Sequence, residues 1–526
     1  MVRQIWFREP SHVDGGTVRV MFSTRRRREL ERADPPLPIL PGEVSNGEFL
    51  PRPPTSRDRT IVDELLSRAS DLARAGGTSR RRFLQSAGGV ALSLAVFDAC
   101  ASDRAARRGL TSTTSSTTRG GRYVVPDAAD AAACESVLGS NGELIIDMHT
   151  HHVMPAGPWR QNAPGIVSMI RNLVPGGCSA PDPFECLDRA HYIHDLFLAS
   201  DTTVAMLTDV PNSGPADAPM PFGDAVGTSD FAQDLASGGV HRVLSQSVLA
   251  PNFGPVGATL DTMRAQVDGG RVASFKAYTA WGPNGQGYDL TDPTVGLPMV
   301  QEAHDLGIKV FCAHKGLPLQ RFDLSHNSPE DLVAVANLFP DMQFVVFHSA
   351  FEREIHEGPY DPARADRGTN ALIAALDRHG VPPNSNVWCE LGTTWRELLS
   401  SPDQAAHVVG KLLSRVGEDR VLWGTDAIWY GSPQPQIMAF RAFEITPEFQ
   451  DRYLYPALTD ERKRKVFGLN AAQLLGLDPA GAYCAPRDPL TAAQPAAAEL
   501  HASGLLDPWR SRGPLTRRDV LRSLRS

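Results

Sequence analysis

A chain of 526 residues with 42% hydrophobic and 21% charged residues can build a large core, and global disorder is excluded. Its net charge of −8 is split: residues 1–101 hold 16 Arg, no Lys and 12 acids, or +4, leaving 36 basic and 48 acidic residues, or −12, in the rest. An acidic body argues against a nucleic-acid partner. Seven Cys without a CxxC pair exclude a disulfide-built miniprotein, and no apolar run reaches the ~18–20 residues of a membrane span.

Residues 1–60 are rich in Arg and Pro, with Arg25–Arg28 and Pro-Pro at 35–36 and 53–54. The composition predicts disorder; a short helix follows on Ile61, Leu65, Leu66 and Leu72. Ser79-Arg80-Arg81-Arg82-Phe83-Leu84-Gln85 then precedes a weakly apolar stretch, Ser86 to Phe97. This resembles a bacterial twin-arginine export signal, which implies a periplasmic, extracellular or lipid-anchored protein; the bland alternative is a basic patch on a surface helix. Ala99-Cys100-Ala101 fits cleavage by a small-x-small rule, and Cys100 is the alternative lipid anchor, although Phe97 and Asp98 suit a lipobox poorly. Seventy-nine residues precede the Arg pair, more than an ordinary signal has, so a later start, such as Val62, is expected. The organisation expected is a disordered extension over 1–78, a signal over 79–101, a linker over 102–140, a catalytic domain over 141–478 and a solvated tail over 479–526, with Leu515–Leu524 as an alternative short basic helix.

From residue 141 short β-branched or aromatic runs alternate with helical segments. The predicted strands are Leu144–His149, Thr203–Asp209, Arg242–Ala250, Ala273–Tyr278, Lys309–His314, Gln343–His348, Asn386–Leu391 and Val421–Asp426. The first and last end 277 residues apart, so each of seven steps averages about 40, room for one strand, one helix and their loops. Near-continuous apolar strands point to a parallel sheet covered by helices, and eight units favour a TIM-like (β/α)8 barrel. The first unit carries a long insertion, 153–200, containing Cys178 and Cys186.

Polar residues gather where these strands end. Strand one runs into Asp147-Met148-His149-Thr150-His151, strand four into Phe275-Lys276, strand five into Ala313-His314, strand six into Phe347-His348 and strand eight into Gly424-Thr425-Asp426. C-terminal strand ends meet at one barrel mouth, and alternate residues on a strand face the same way. His149 and His151 can therefore face one ion, and imidazole with carboxylate suits zinc, manganese or iron. Singly, each has a bland reading: a polar loop start, a hydrogen-bonded structural His, a helix N-cap for Asp426, a surface charge for Lys276. Chance would have to place all five in barrel order.

Together these residues resemble the metal-dependent amidohydrolase superfamily, and Val466–Leu477 resembles the closing segment of its amidohydrolase-related branch. The likeness covers 141–478, or 338 of 526 residues, and departs from the family in the long insertion and in a third adjacent imidazole, His152. It implies that His149, His151 and Asp426 hold a first divalent metal, zinc first, with manganese or iron as alternatives. His314 would complete a one-metal site, leaving His348 to steer water or substrate. In the two-metal form a carboxylated Lys276 bridges the ions, and His314 and His348 hold the second; alternatively, Lys276 binds an anionic substrate.

The expected reaction is hydrolysis of an amide, ester or lactone, with Asp426 moving protons and His348 binding metal or stabilising an oxyanion. The rivals are non-oxidative decarboxylation of a ring carboxylic acid on the same scaffold, and a non-catalytic exported binding lipoprotein. Arg160 and Arg353 are candidates for a substrate carboxylate, and equally for surface charges. Trp159, Trp281, Trp395 and Trp429 follow strand ends and suit a substrate wall or ordinary loop packing. Glu390 is either a carboxyl supporting a ligand or a buried hydrogen-bonded acid. The partner expected is a small-molecule substrate.

Overall fold

The structure is a computed structural model that describes residues 37–44, 51–109, 119–503 and Arg517, apart from 172, 175–177, 179, 238–240, 319–321 and 484–487. The expected disorder over 1–36 and most of the segment 515–524 lie outside these residues.

Eight parallel strands form one sheet in sequence order: β1 (Ile146–Thr150), β2 (Val204–Leu207), β3 (Val243–Leu249), β4 (Val272–Ala277), β5 (Val310–His314), β6 (Gln343–Phe347), β7 (Val387–Glu390) and β8 (Val421–Leu422). The expected (β/α)8 barrel is observed. Closure between β8 and β1 rests on backbone bonds from Met148 N to Trp423 O at 3.0 Å and from Asp426 N to His149 O at 2.8 Å. Strand alternation puts Ser274 and Lys276 on the inner face of β4, and Val310, Cys312 and His314 on that of β5. Gln246 reaches across the interior to Ser274 Oγ at 2.8 Å and Cys312 Sγ at 3.2 Å. The interior is thus mostly apolar, with the Gln246–Ser274 pair as a polar layer beneath the charged mouth.

Six of the strands end earlier than expected, β8 by four residues, β2 by two and β3, β4, β6 and β7 by one. β6 stops at Phe347, because the backbone turns left-handed at His348 (φ 60°), and past the end of β8 it turns left-handed again at Asp426 (φ 62°). A left-handed L residue cannot continue a pleat and costs of order 1–3 kcal/mol, which the surroundings must hold.

The parts flanking the barrel depart further from expectation. Helix Ser56–Ala75 starts at a reciprocal cap, Thr55 Oγ1 accepting from Asp58 N while Asp58 accepts from Thr55 N, and buries Ile61, Leu65 and Ala69. Helix Ala87–Gly109 follows the Arg triplet, and its Val90, Ala91, Leu94 and Phe97 are fully buried in one cluster with Trp395, Phe440 and Phe443. The expectation of disorder over 1–78 is therefore corrected for residues 51–78, and the region ahead of the barrel is docked rather than detached. The physical reason is that its apolar side chains bury against the barrel's outer helices. Within 102–140, read as a linker, strand Gly121–Tyr123 pairs antiparallel with Phe443–Ile445, and Ala131–Leu138 is helical. The expectation of a solvated tail over 479–526 is corrected for helix Pro489–Ala502: Arg242 grips Asp488 with two bonds of 2.7 Å, and Gln494 donates to Phe197 O at 3.0 Å. Cys178 and Cys186 are disulfide-bonded. Among the described residues no helix is long and apolar enough to cross a membrane.

Candidate metal centre

All six residues expected at the mouth are buried, and they fall into two facing groups. On the β1/β8 side, Asp426 Oδ1 lies 3.1 Å from His151 Nε2 and 3.6 Å from His149 Nε2. On the β5/β6 side, His348 Nε2 lies 3.2 Å from His314 Nδ1. Lys276 reaches in from β4, with Nζ 3.1 Å from His149 Nε2 and 4.3 Å from the centre of the Phe347 ring. His149, His348 and Asp426 each offer a ligand atom within 4.8 Å of the others.

Hydrogen bonds on the far side of each ring fix which nitrogen is free. A ring nitrogen against a carbonyl must donate. His151 Nδ1 faces Thr208 O at 2.8 Å, His348 Nδ1 faces Gly392 O at 2.8 Å, and His314 Nε2 faces Leu317 O at 3.3 Å. The other nitrogen of each ring then presents a lone pair to the mouth. His348 and His314 thus bring two acceptors within 3.2 Å, an arrangement that a shared cation relieves. Burial lowers the pKa of His149, His151, His314 and His348, to about 4 for His348, so these rings are neutral. Asp426 goes the other way. Burial raises its pKa, but the contact with His151 at 3.1 Å and the Thr393 hydroxyl, whose Oγ1 donates to Oδ2 at 2.5 Å, more than offset this and hold it well below the usual carboxylate range. Neutral imidazoles around an ionised carboxylate are the donor set of a zinc-like ion, so the residues fit the implied metal.

Surrounding groups hold this set in place. Asp147 accepts from Thr425 N at 3.0 Å and His149 N at 3.1 Å, tying β1 to β8, and burial pushes its pKa up to about 7. Glu390 ends β7 fully buried, accepts from His348 N at 3.0 Å and from Gly392 N, and faces His149 Nδ1 at 3.4 Å. Burial raises its pKa to about 8. A Cβ on Gly424 or Gly392 would collide with its carboxyl, so both positions require glycine. Thr393 (φ 54°), like Ser349 and Ala350 after His348, also has a positive φ here, and no sequence pattern signalled it.

Other expectations separate. His152 turns away, bonding Thr228 Oγ1 at 2.9 Å. Arg160 is paired with Asp182, and Arg353 with Glu397 at 3.3 Å. Trp159 packs on Phe184, and Trp395 on Phe440 and Phe443. Trp429 stacks on His151 with centroids 5.3 Å apart, and Trp281 groups with Phe253 and Phe322.

A barrel with a histidine- and carboxylate-lined mouth at its C-terminal strand ends is the architecture of metal-dependent enzymes. The sequence model of the amidohydrolase family matches residues 146–477, and the chain belongs to that family. It is a metal-dependent enzyme, so the non-catalytic reading falls. Among solved structures, it is similar to 5-carboxyvanillate decarboxylase from Sphingomonas paucimobilis (13% identity, 64% of this chain and 100% of that one, TM-score 0.40). It is likewise similar to 2,6-dihydroxybenzoate decarboxylase from Rhizobium (13%, 64% and 99%, TM-score 0.36). A third is 4-oxalomesaconate hydratase from Rhodopseudomonas palustris (13%, 68% and 100%, TM-score 0.35). The search of curated proteins gives no match.

Proposed function

We propose that the chain hydrolyses an amide, ester or lactone. The observation that carries this reading is Asp426, a buried carboxylate held ionised between His151 and Thr393. On the family likeness, His149, His151 and Asp426 hold a divalent ion, zinc first and manganese or iron as alternatives. His314 completes a one-ion site, or joins His348 and a carboxylated Lys276 at a second ion. The ion, when bound, brings the pKa of its water toward ~7 and polarises the scissile carbonyl. Asp426 takes the water's proton and passes it to the leaving group. A neutral His348 whose Nδ1 donates to Gly392 offers only a lone pair at Nε2. That suits a ligand, or an acceptor that orients water, better than a donor to an oxyanion. Hydrolysis consumes one water, so product formed in ¹⁸O-water must carry the label; unlabelled product contradicts the reading.

One observation favours decarboxylation of a ring carboxylic acid as the second reading. Tyr278, Phe322, Trp281 and Phe253 form a run of aromatic contacts beside His314, with Tyr278–His314 centroids 5.2 Å apart, a wall suited to a flat ring. Carbon dioxide released without consumption of water would establish this reaction instead.

We also propose export by the twin-arginine route, with cleavage near Ala101 or lipid attachment at Cys100 as alternatives. The motif Ser79–Gln85 supports it, as does the Cys178–Cys186 bridge, a bond that persists in oxidising compartments. Arg80→Lys with Arg81→Lys should trap the protein in the cytoplasm; undiminished export of the double variant contradicts the assignment.

A further inference from the structure

The segment proposed as an export signal is folded into the molecule. Within the motif Ser79–Gln85, Arg81 and Arg82 are exposed, but Phe83 and Leu84 are buried at 9% and 1% exposure. Arg80–Leu84 is helical, with Ser79 Oγ accepting from Arg82 N at 3.2 Å. The apolar run behind it, Val90, Ala91, Leu94, Val96 and Phe97, is buried in the same cluster as Phe83 and Leu84. Ala99–Ala101, where processing would fall, lies inside helix Ala87–Gly109. A receptor that reads the motif must reach side chains that the fold has enclosed. A peptidase groove pairs with the N–H and C=O groups of an extended chain, and in a helix those groups are already bonded. Neither can act on this conformation.

Two surfaces enclose the segment. One is the barrel's flank, with Trp395, Phe440 and Phe443 in the shared cluster. Asp98, next after the apolar run, accepts from Arg119 Nη1 at 3.0 Å, and Arg119 leads into strand Gly121–Tyr123, which pairs with Phe443–Ile445. The other surface is helix Ser56–Ala75. It packs on both Arg80–Leu84 and Ala87–Gly109, and its Ile61, Leu65 and Ala69 are buried in the same cluster. Its Ser70 Oγ accepts from Arg80 Nη1 at 3.3 Å, which ties the first Arg of the pair to this helix. The turn between motif and apolar run is close-packed: a Cβ on Gly89 would fall 2.6 Å from Phe83 O, and one on Gly88 2.8 Å from Ala128 O. An address read by a receptor needs no buried partner helix, yet here a capped helix of 20 residues is built on it.

We infer that helix Ser56–Ala75 is a clasp that autoinhibits export: it holds the signal on the folded barrel, and the signal is read and processed only in molecules where clasp and segment have come away. The inference rests on the proposed twin-arginine export and adds its control. The docked and released forms are two states of one chain, so a substitution that weakens only the docked form shifts the population toward release. The clasp lies outside both the motif and the apolar run. It can therefore be weakened without altering what the receptor reads.

The test uses the full-length chain and reads two quantities: the exported fraction in cells, and the rate of trypsin cleavage at Arg80–Arg82 in purified protein. Ile61→Ala with Leu65→Ala leaves two cavities in the clasp interface and should raise both by at least about 10-fold, at unchanged metal content. Asp58→Ala breaks only the reciprocal cap with Thr55. It guards against a folding failure of the double variant and should raise both quantities by about two- to ten-fold. Adding Arg80→Lys and Arg81→Lys to the Ile61/Leu65 variant should abolish its gain in export and keep its fast cleavage, since trypsin also cuts at Lys. Export and cleavage equal in wild type and both clasp variants overturn the clasp itself. Faster cleavage without any export, or a gain in export that survives the Lys pair, instead overturns the twin-arginine reading, and the proposal falls with it.

Discussion

The mouth of the barrel and the flank formed by helix Ala87–Gly109 are equally buried and oppositely built. In the flank, Val90, Ala91, Leu94 and Phe97 lose all contact with water against other apolar groups, and burial is the source of stability. In the mouth, burial encloses imidazoles, carboxylates and Lys276, and it displaces the pKa of nearly every titratable group there. Five residues of the mouth, His348, Ser349, Ala350, Thr393 and Asp426, also have positive φ. A fold keeps so many unfavourable terms together only where they do chemistry. Changes in the flank should therefore alter stability and spare turnover, and changes in the mouth should do the reverse.

The largest effect expected is in the flank. In the uncleaved chain, Phe97→Ala empties a fully buried site and should cost about 3–5 kcal/mol of unfolding free energy, read by denaturant titration, with kcat per folded molecule unchanged. A comparable loss of kcat would break the contrast. Next comes Asp426→Asn, which keeps shape and an acceptor oxygen but loses the base. It should lower kcat by at least about 10²-fold with a smaller change in KM, while the unfolding midpoint holds. Near-normal turnover with full metal would remove Asp426 as the proton carrier.

Lys276→Met separates the one-ion and two-ion forms. If a carboxylated Lys276 bridges two ions, the variant should retain one ion per chain by elemental analysis and lose most activity. Unchanged metal content and activity would leave only the one-ion form.

The smallest effect concerns acid stability. His407 is buried against Phe449 and Tyr453, and burial lowers its pKa to about 3. Between the unfolded value near 6.5 and about 3, the unfolded chain binds a proton there that the folded chain does not. Stability from this group is full above pH ~6.5 and declines as pH falls, by about 1.4 kcal/mol per unit. His407→Phe should flatten the acid limb of the stability profile at unchanged kcat; an identical slope would contradict the assignment.

Most of the barrel was legible because short apolar runs recur with room for one helix between them, the pattern of a covered parallel sheet. The ligand set was legible because strand ends must converge. What escaped depends on contacts that no local pattern encodes. The docking of helix Ala87–Gly109 was not foreseen, because an apolar run looks the same whether it meets a translocation receptor or the barrel's outer helices. The docking of Pro489–Ala502 depends on Arg242 and Asp488, 246 residues apart. His348 and Asp426 were placed at the correct ends, but the left-handed turns that aim them appear only in the backbone.

The central claim is that the mouth is a metal centre on which activity depends. Metal content of gently purified wild type and of a His149→Asn/His151→Asn double variant, measured alongside turnover, tests it most directly. The account predicts about one or two ions per chain in the wild type, and below about 0.2 in the variant with activity lost in step, since ligand removal uncouples binding at such sites. Wild-type protein that turns over substrate with less than about 0.2 ions per chain, or a double variant that keeps both metal and activity, would contradict it.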